Sequence, residues 1–142
     1  IIVRAPVRIF YLRIIIRKTV GDFMIIGFSP NSSRIIPRIF CKRIRHCAPI
    51  MRVAPGRYIM YQFIRRHRIA LIYLTPHAIG LLRGGGWRFI DVPCAFPRDF
   101  MRGARACLSC VEFSKHAIGL RAWYIITPWA LYKKTRRLAR RV

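Results

Sequence analysis

His77-Ala78-Ile79-Gly80-Leu81-Leu82-Arg83-Gly84-Gly85-Gly86-Trp87 is the stretch on which the fold of this 142-residue chain turns. With Ala78 to Leu82 extended, Arg83 to Gly86 as a glycine turn and Trp87 to Asp91 returning as a strand, it predicts a β architecture of short strands. Glycine at the turn lets backbone approach a ligand or a neighbour closely.

Working outward from that stretch, Pro49 and Pro55-Gly56 bracket a short strand from Ile50 to Val53, the Pro-Gly pair marking a turn. Ile35 to Arg45 is rich in β-branched residues and ends in the alternation Arg43-Ile44-Arg45, as in a strand with one face toward a core and one toward anions. The cluster Ser29-Pro30-Asn31-Ser32-Ser33 reads as a loop, because Pro, Asn and Ser preset or cap turn geometry. Tyr58 to Leu74 reads either as a basic amphipathic helix or as a long strand excursion, with helix favoured over Tyr58 to His67. Downstream, Pro93 and Pro97 flank a loop and Phe100 to Gly103 reads as a last short strand. Thr127 is a helix N-cap with Pro128 at the first helical position, so Pro128 to Arg141 is expected as a terminal helix. Its cations are Lys133, Lys134, Arg136, Arg137, Arg140 and Arg141. These elements predict an all-β class, a small barrel over residues 20–110, with an extended basic arm over 1–19 and a basic helical tail within 111–142.

Charge bounds the function. Lys and Arg number 28 against four acidic residues, a formal net charge of +24, in a chain that is 54% hydrophobic. Such an excess repels itself unless a polyanion surrounds it. Arg supplies 23 of the 28 cations, and the planar guanidinium fork suits bidentate phosphate contacts and stacking on bases better than an ammonium does. Nucleic acid is therefore the expected partner. In the arm, Arg4, Arg8, Arg13 and Arg17 interleave with apolar residues, as in a segment pressed between a core and phosphates; a mitochondrial presequence is the alternative reading there. Membrane insertion is not expected, because a spanning helix needs about 18 consecutive apolar residues and Arg interrupts every long apolar run. Trp87, Tyr58 and Tyr61 are candidate stacking platforms for unpaired bases, or else core residues.

Five cysteines without a regular framework point to a reducing compartment. Cys107 and Cys110 have the spacing of a metal-ligand pair, which Cys41, His46 and Cys47 could complete as a zinc site; inert buried thiols are the favoured reading, so no cofactor is expected. Acid–base or two-metal chemistry needs placed carboxylates, and Asp22, Asp91, Asp99 and Glu112 are scattered, so no enzymatic activity is expected.

Pro30-Asn31-Ser32, Pro55-Gly56, the run His77 to Gly85, Asp91-Val92-Pro93 and Arg102-Gly103, in that order, resemble the S-twelve family of small-subunit ribosomal proteins over about residues 20–105. The resemblance implies an OB-fold barrel beside the decoding centre, bound to small-subunit rRNA, near the mRNA–tRNA helix and neighbouring ribosomal proteins. Carried over residue by residue, it implies that Pro30, Asn31 and Ser32 form one decoding loop and Asp91 and Pro93 the other; Arg34, Arg83, Gly84, Gly85 and Arg88 are further RNA-binding candidates beside them. Phe28 and Ser29 stand where the family has two lysines, Cys94 where it has a glycine, and residues 57–74 read as an insertion. Such drift, with dense Ile and Phe beside many Arg, fits an organellar ribosome of the mitochondrial matrix. A basic peripheral membrane-surface protein and a generic RNA chaperone are the alternatives.

Overall fold

The computed structural model describes residues 23–31, 43–64, 69–93 and 107–140. Five strands, β1 (Phe23–Ser29), β2 (His46–Ala54), β3 (Arg57–Phe63), β4 (Ile69–Leu74) and β5 (Arg88–Pro93), form one antiparallel sheet in the order β4-β3-β2-β1-β5. Three helices join it: α1 (Pro76–Gly84), α2 (Cys110–Ala117) and α3 (Pro128–Ala139).

Strands β1 to β4 are apolar on both faces, and the register sorts their side chains. With Phe28 opposite Cys47 and Ile26 opposite Ile90, one face collects Met24, Ile26, Phe28, Cys47, Tyr61 and Val92 and packs against Val111 and Phe113 of α2 and Leu131 and Tyr132 of α3. The opposite face collects Ala48, Ile50, Met60 and Leu74 under Ala78, Ile79 and Leu82 of α1. Phe28 and Phe113 are both fully buried, each worth about 2–3 kcal/mol of transfer free energy. A sheet covered on both sides has near-continuous apolar runs, which is what these segments show.

Strand order explains α1. The chain leaves edge strand β4 and must reach β5 at the other edge, four strand spacings of about 4.8 Å, or about 19 Å, across the face. Nine helical residues advance about 13–14 Å, and Gly85-Gly86-Trp87 covers the rest. Thr75 caps the helix, its Oγ1 accepting from Ala78 N at 3.3 Å, with Pro76 in the first turn. Gly86 has φ +87°, a conformation that L side chains rarely adopt, and a Cβ there would stand 3.2 Å from Pro30 Cγ. The strand expected over Ala78 to Leu82 is therefore a helix: a capped start and a crossing requirement override the strand-like reading.

Two further expectations are corrected. Tyr58 to Phe63 is strand, not helix, because β3 pairs on both sides, with Met60 opposite Ile50 and also opposite Ile72. β3 and β4 thus pair antiparallel at one side of the sheet, with β4 at its edge. Arg43 to Arg45 lie before β2 rather than in a strand, while 35–42 fall outside the described residues. The arm over 1–19 and the strand expected at Phe100 to Gly103 also fall outside them. The strands from Ile50 to Val53 and from Trp87 to Asp91, and the Pro55-Gly56 turn with Gly56 at φ +68°, are present, the strands within the longer β2 and at β5. The domain is rich in sheet as expected, but three helices pack on it, and among the described residues β4 and β5 are open edges. Residues 111–139, expected in a basic extension beyond the barrel, supply the sheet's core with Val111, Phe113, Ala117 and Leu131.

Candidate nucleic-acid interface

Helix α3 begins as its sequence dictates. Thr127 Oγ1 accepts from Ala130 N at 3.2 Å and Pro128 occupies the first turn. Leu131, Tyr132 and Thr135 are buried, and Thr135 Oγ1 donates to Tyr132 O at 3.1 Å, so the hydroxyl is satisfied inside the core. Seating that face turns Lys133, Arg136, Arg137 and Arg140 outward as an exposed stripe, with Lys134 half-buried beside it. Their spacing of three, four and seven residues puts them on adjacent turns of one face. Arg136 and Arg137 lie in the last turn, where the helix dipole favours cations.

Tyr132 is the hinge between this stripe and the sheet. Phe28 meets its ring edge-on at 5.2 Å, and Trp129 stacks on it at 5.4 Å. Arg88 Nη1 donates to Tyr132 Oη at 3.1 Å, and the guanidinium lies 5.6 Å from the ring centroid. Arg136 lies 5.7 Å from the same ring, and Arg43 lies 5.4 Å from the Trp129 ring. Cations from three separate segments are thus held against two stacked aromatics. A guanidinium has five N–H donors, and stacking on a π-face consumes none of them. The rings limit the side-chain entropy that a flexible Arg would lose on gripping a phosphate.

The two described carboxylates lie outside this group. Glu112 is engaged at the start of α2: its Oε2 accepts from Leu108 N at 2.7 Å while Ser109 Oγ accepts from Glu112 N at 3.2 Å, a reciprocal cap. Asp91 is exposed on β5 and lines a hollow of about 420 Å³ with Phe23, Phe89 and Pro93.

The residues expected to face RNA are distributed as follows. Asn31 follows β1, its backbone N–H donating to Ser29 Oγ at 3.1 Å, which is local turn bonding. Pro30 abuts Gly86, so the first loop and the glycine run do meet. Arg83 lies in the last turn of α1, its guanidinium 5.7 Å from the Phe89 ring, and Gly84 and Gly85 are exposed beside it. Asp91 and Pro93 are not in a loop but in β5, opposite Ile25 and Phe23. The two expected loop sites are consequently apart: Ile25 and Pro30 lie five residue steps apart along the chain, about 17 Å when extended. Ser32, Arg34, Arg4, Arg8, Arg13, Arg17 and Arg141 fall outside the described residues. Tyr61 is 2% exposed and belongs to the core, where burial, with a smaller effect of Tyr73, pushes its phenol up to about 12. Trp87 is half-buried, stacked on Phe89 at 6.2 Å.

Sequence reading missed Tyr132 and the exposed aromatics Tyr73, Trp123 and Tyr124, which are 75%, 88% and 60% exposed. Trp129, Tyr132 and Arg136 recur at helical spacings of three and four, a signal that the residue order alone carries. Nothing in the local sequence marks the exposure of Trp123, since an aromatic between two helices is as readily core.

Of the proposed metal-ligand pair, Cys107 is buried, and burial, then Glu112, raise its thiol against a lowering by Lys115. Cys110 opens α2 and faces β2, where a hydrogen bond from Cys47 holds its thiol well below the usual range; burial opposes this and His46 adds to it. Among the described residues no group of three or more His, Cys, Asp or Glu is arranged to hold a metal. No family model, curated protein or solved structure matches the chain.

Proposed function

We propose that this chain is a structural RNA-binding protein, of the small ribosomal subunit of an organelle, that holds folded rRNA through phosphate contacts and does not catalyse a reaction. The observation that carries the reading is the aromatic-mounted arginine group, Arg43, Arg88 and Arg136, continuous with the exposed stripe of α3. Ordered guanidinium groups on a body of net charge +24 suit bidentate contacts along a phosphate backbone. The exposed rings of Trp123 and Tyr124 would add stacking on unpaired bases.

The ribosomal setting rests on the ordered motifs, and with it come an OB-type arrangement, a mitochondrial location and a place near decoding. Within that setting the Pro30-Asn31 turn against Gly86 is the candidate decoding contact, whereas Asp91, on the strand, would meet a different part of the rRNA. The test is sedimentation of the native chain with small subunits at high salt, together with its solubility after ribonuclease treatment. Retention on the subunit and precipitation after digestion are expected; a soluble, RNA-free monomer at ordinary ionic strength refutes the reading.

One observation favours a second reading. Within six residues Arg121, Trp123, Tyr124 and Ile126 are all exposed, Ile126 at 77%, and the rings of Trp123 and Tyr124 meet at 6.2 Å, a mix of apolar tips and a cation that suits an anionic lipid surface. No helix among the described residues is long and apolar enough to cross a membrane, so this reading is peripheral attachment. Flotation of RNA-free protein with anionic vesicles, lost in W123A/I126A, would favour it over RNA.

A further inference from the structure

Helix α2 presents two residues one turn apart to strand β2. Ser114, fully buried, donates from Oγ to Cys47 Sγ at 3.5 Å. Cys110, four residues earlier on the same helical face, packs against the cluster that contains Cys47. Ser114 thus places this face of α2 against Cys47, and neither Cys47 nor Cys110 is joined in a disulfide. The two differ in access, for Cys47 is 1% exposed while Cys110 is only half-buried at the start of the helix.

We infer that Cys47 and Cys110 form a reversible dithiol–disulfide pair that responds to peroxide and, when oxidised, clamps α2 to the sheet. Position assigns the roles. Cys110 is reachable and sits in the first turn of α2, whose backbone N–H groups favour a thiolate; the lowering of its thiol described above acts the same way. Cys47 is sheltered in the core cluster on which Cys110 packs, so it resolves.

The reaction balances with hydrogen peroxide as oxidant. The Cys110 thiolate attacks one peroxide oxygen, the O–O bond breaks, an S–O bond forms, and the departing hydroxide takes up a proton as water. Cys47 sulfur then attacks Cys110 sulfur; the S–S bond forms, the S–O bond of the sulfenic acid breaks, and the second water leaves with the Cys47 proton. Two thiols lose two electrons and one peroxide becomes two waters. A dithiol reductant reverses the change by exchange. Cys107, three residues before Cys110, precedes α2 and does not lie on the helical face that meets Cys47, so it is not assigned as the resolving partner. The inference is independent of RNA binding.

The test uses the full chain with one equivalent of hydrogen peroxide, followed by intact mass and peptide mapping. A mass loss of about 2 Da is expected, localised to a Cys47–Cys110 link and reversed by dithiothreitol. In C47S, Cys110 is expected to stop at a sulfenic acid that dimedone traps; C107S is expected to form the link as the unaltered protein does. A Cys107–Cys110 link, or Cys110 remaining a thiol after peroxide in the unaltered protein, overturns the inference. Because the decisive readout is made on the unaltered chain, a variant that fails to fold does not obscure it.

Discussion

Replacing Lys133, Arg136, Arg137 and Arg140 together by Gln removes the exposed cationic stripe of α3 while sparing Leu131, Tyr132 and Thr135, which seat the helix. The effect on RNA binding can be worked from counterion release. Each phosphate neutralised contributes about 0.9 to the slope of log K against log salt for a duplex, or about 0.7 for a single strand. Four lost contacts lower the slope by about 2.8–3.6, so the loss of affinity between 50 and 200 mM salt shrinks by roughly 50- to 150-fold. Fluorescence anisotropy on an RNA hairpin across a potassium chloride series measures this directly, with circular dichroism to check that the helix is retained. As control, R52Q/R57Q removes two exposed cations at the β2–β3 turn and is expected to change the slope far less. An unchanged slope in the fourfold variant, with the fold intact, would refute the assignment of α3 as the phosphate-gripping face.

Other outcomes are expected from the packing. Gly27→Ala places a Cβ 3.1 Å from Trp87 Cζ3 and 3.2 Å from Ile50 Cδ1, and such overpacking should cost about 1–3 kcal/mol in urea denaturation. Thr127→Ala deletes the hydroxyl that accepts from Ala130 N and should cost about 1 kcal/mol of stability, with Thr127→Ser nearly neutral. Tyr61, raised from 10.0 to about 12 in the fold, favours the protonated folded state. Its contribution is complete below pH 10 and is lost as pH rises through about 12, at about 1.4 kcal/mol per pH unit in between. Tyr61→Phe should flatten that alkaline fall by about 2–3 kcal/mol when unfolding free energies are compared at pH 9 and 12, and an equal fall in both proteins would count against the buried phenol.

Local chemistry was legible where a residue acts on its neighbours. Thr127-Pro128 announced α3, and Pro55-Gly56 announced the β2–β3 turn, because capping and left-handed turns are settled within a few residues. Thr75-Pro76 carries the same helix-start signal as Thr127-Pro128, and the glycine run that follows obscured it. Ser109 and Glu112 likewise spell a capping box at the start of α2. The arginine group was not legible. Arg43, Arg88 and Arg136 are distant in sequence, and only the docking of α3 beside β5 brings them to the same pair of rings.

One pentapeptide separates the two kinds of information. His-Ala-Ile-Gly-Leu occurs at 77–81, within α1, and again at 116–120, where α2 ends with Gly119 at φ +65°. In the first copy the segment directly follows a Thr-Pro start, and the span from β4 to β5 requires helix to continue through Gly80. In the second, one face of α2 is already spent on β2, and Gly119 releases the chain toward α3. Composition alone determined the large positive net charge of this protein, since charge is summed without reference to conformation. Which cations stand together, and whether a given glycine extends or ends a helix, was decided by tertiary packing, because those outcomes depend on contacts between segments far apart along the chain.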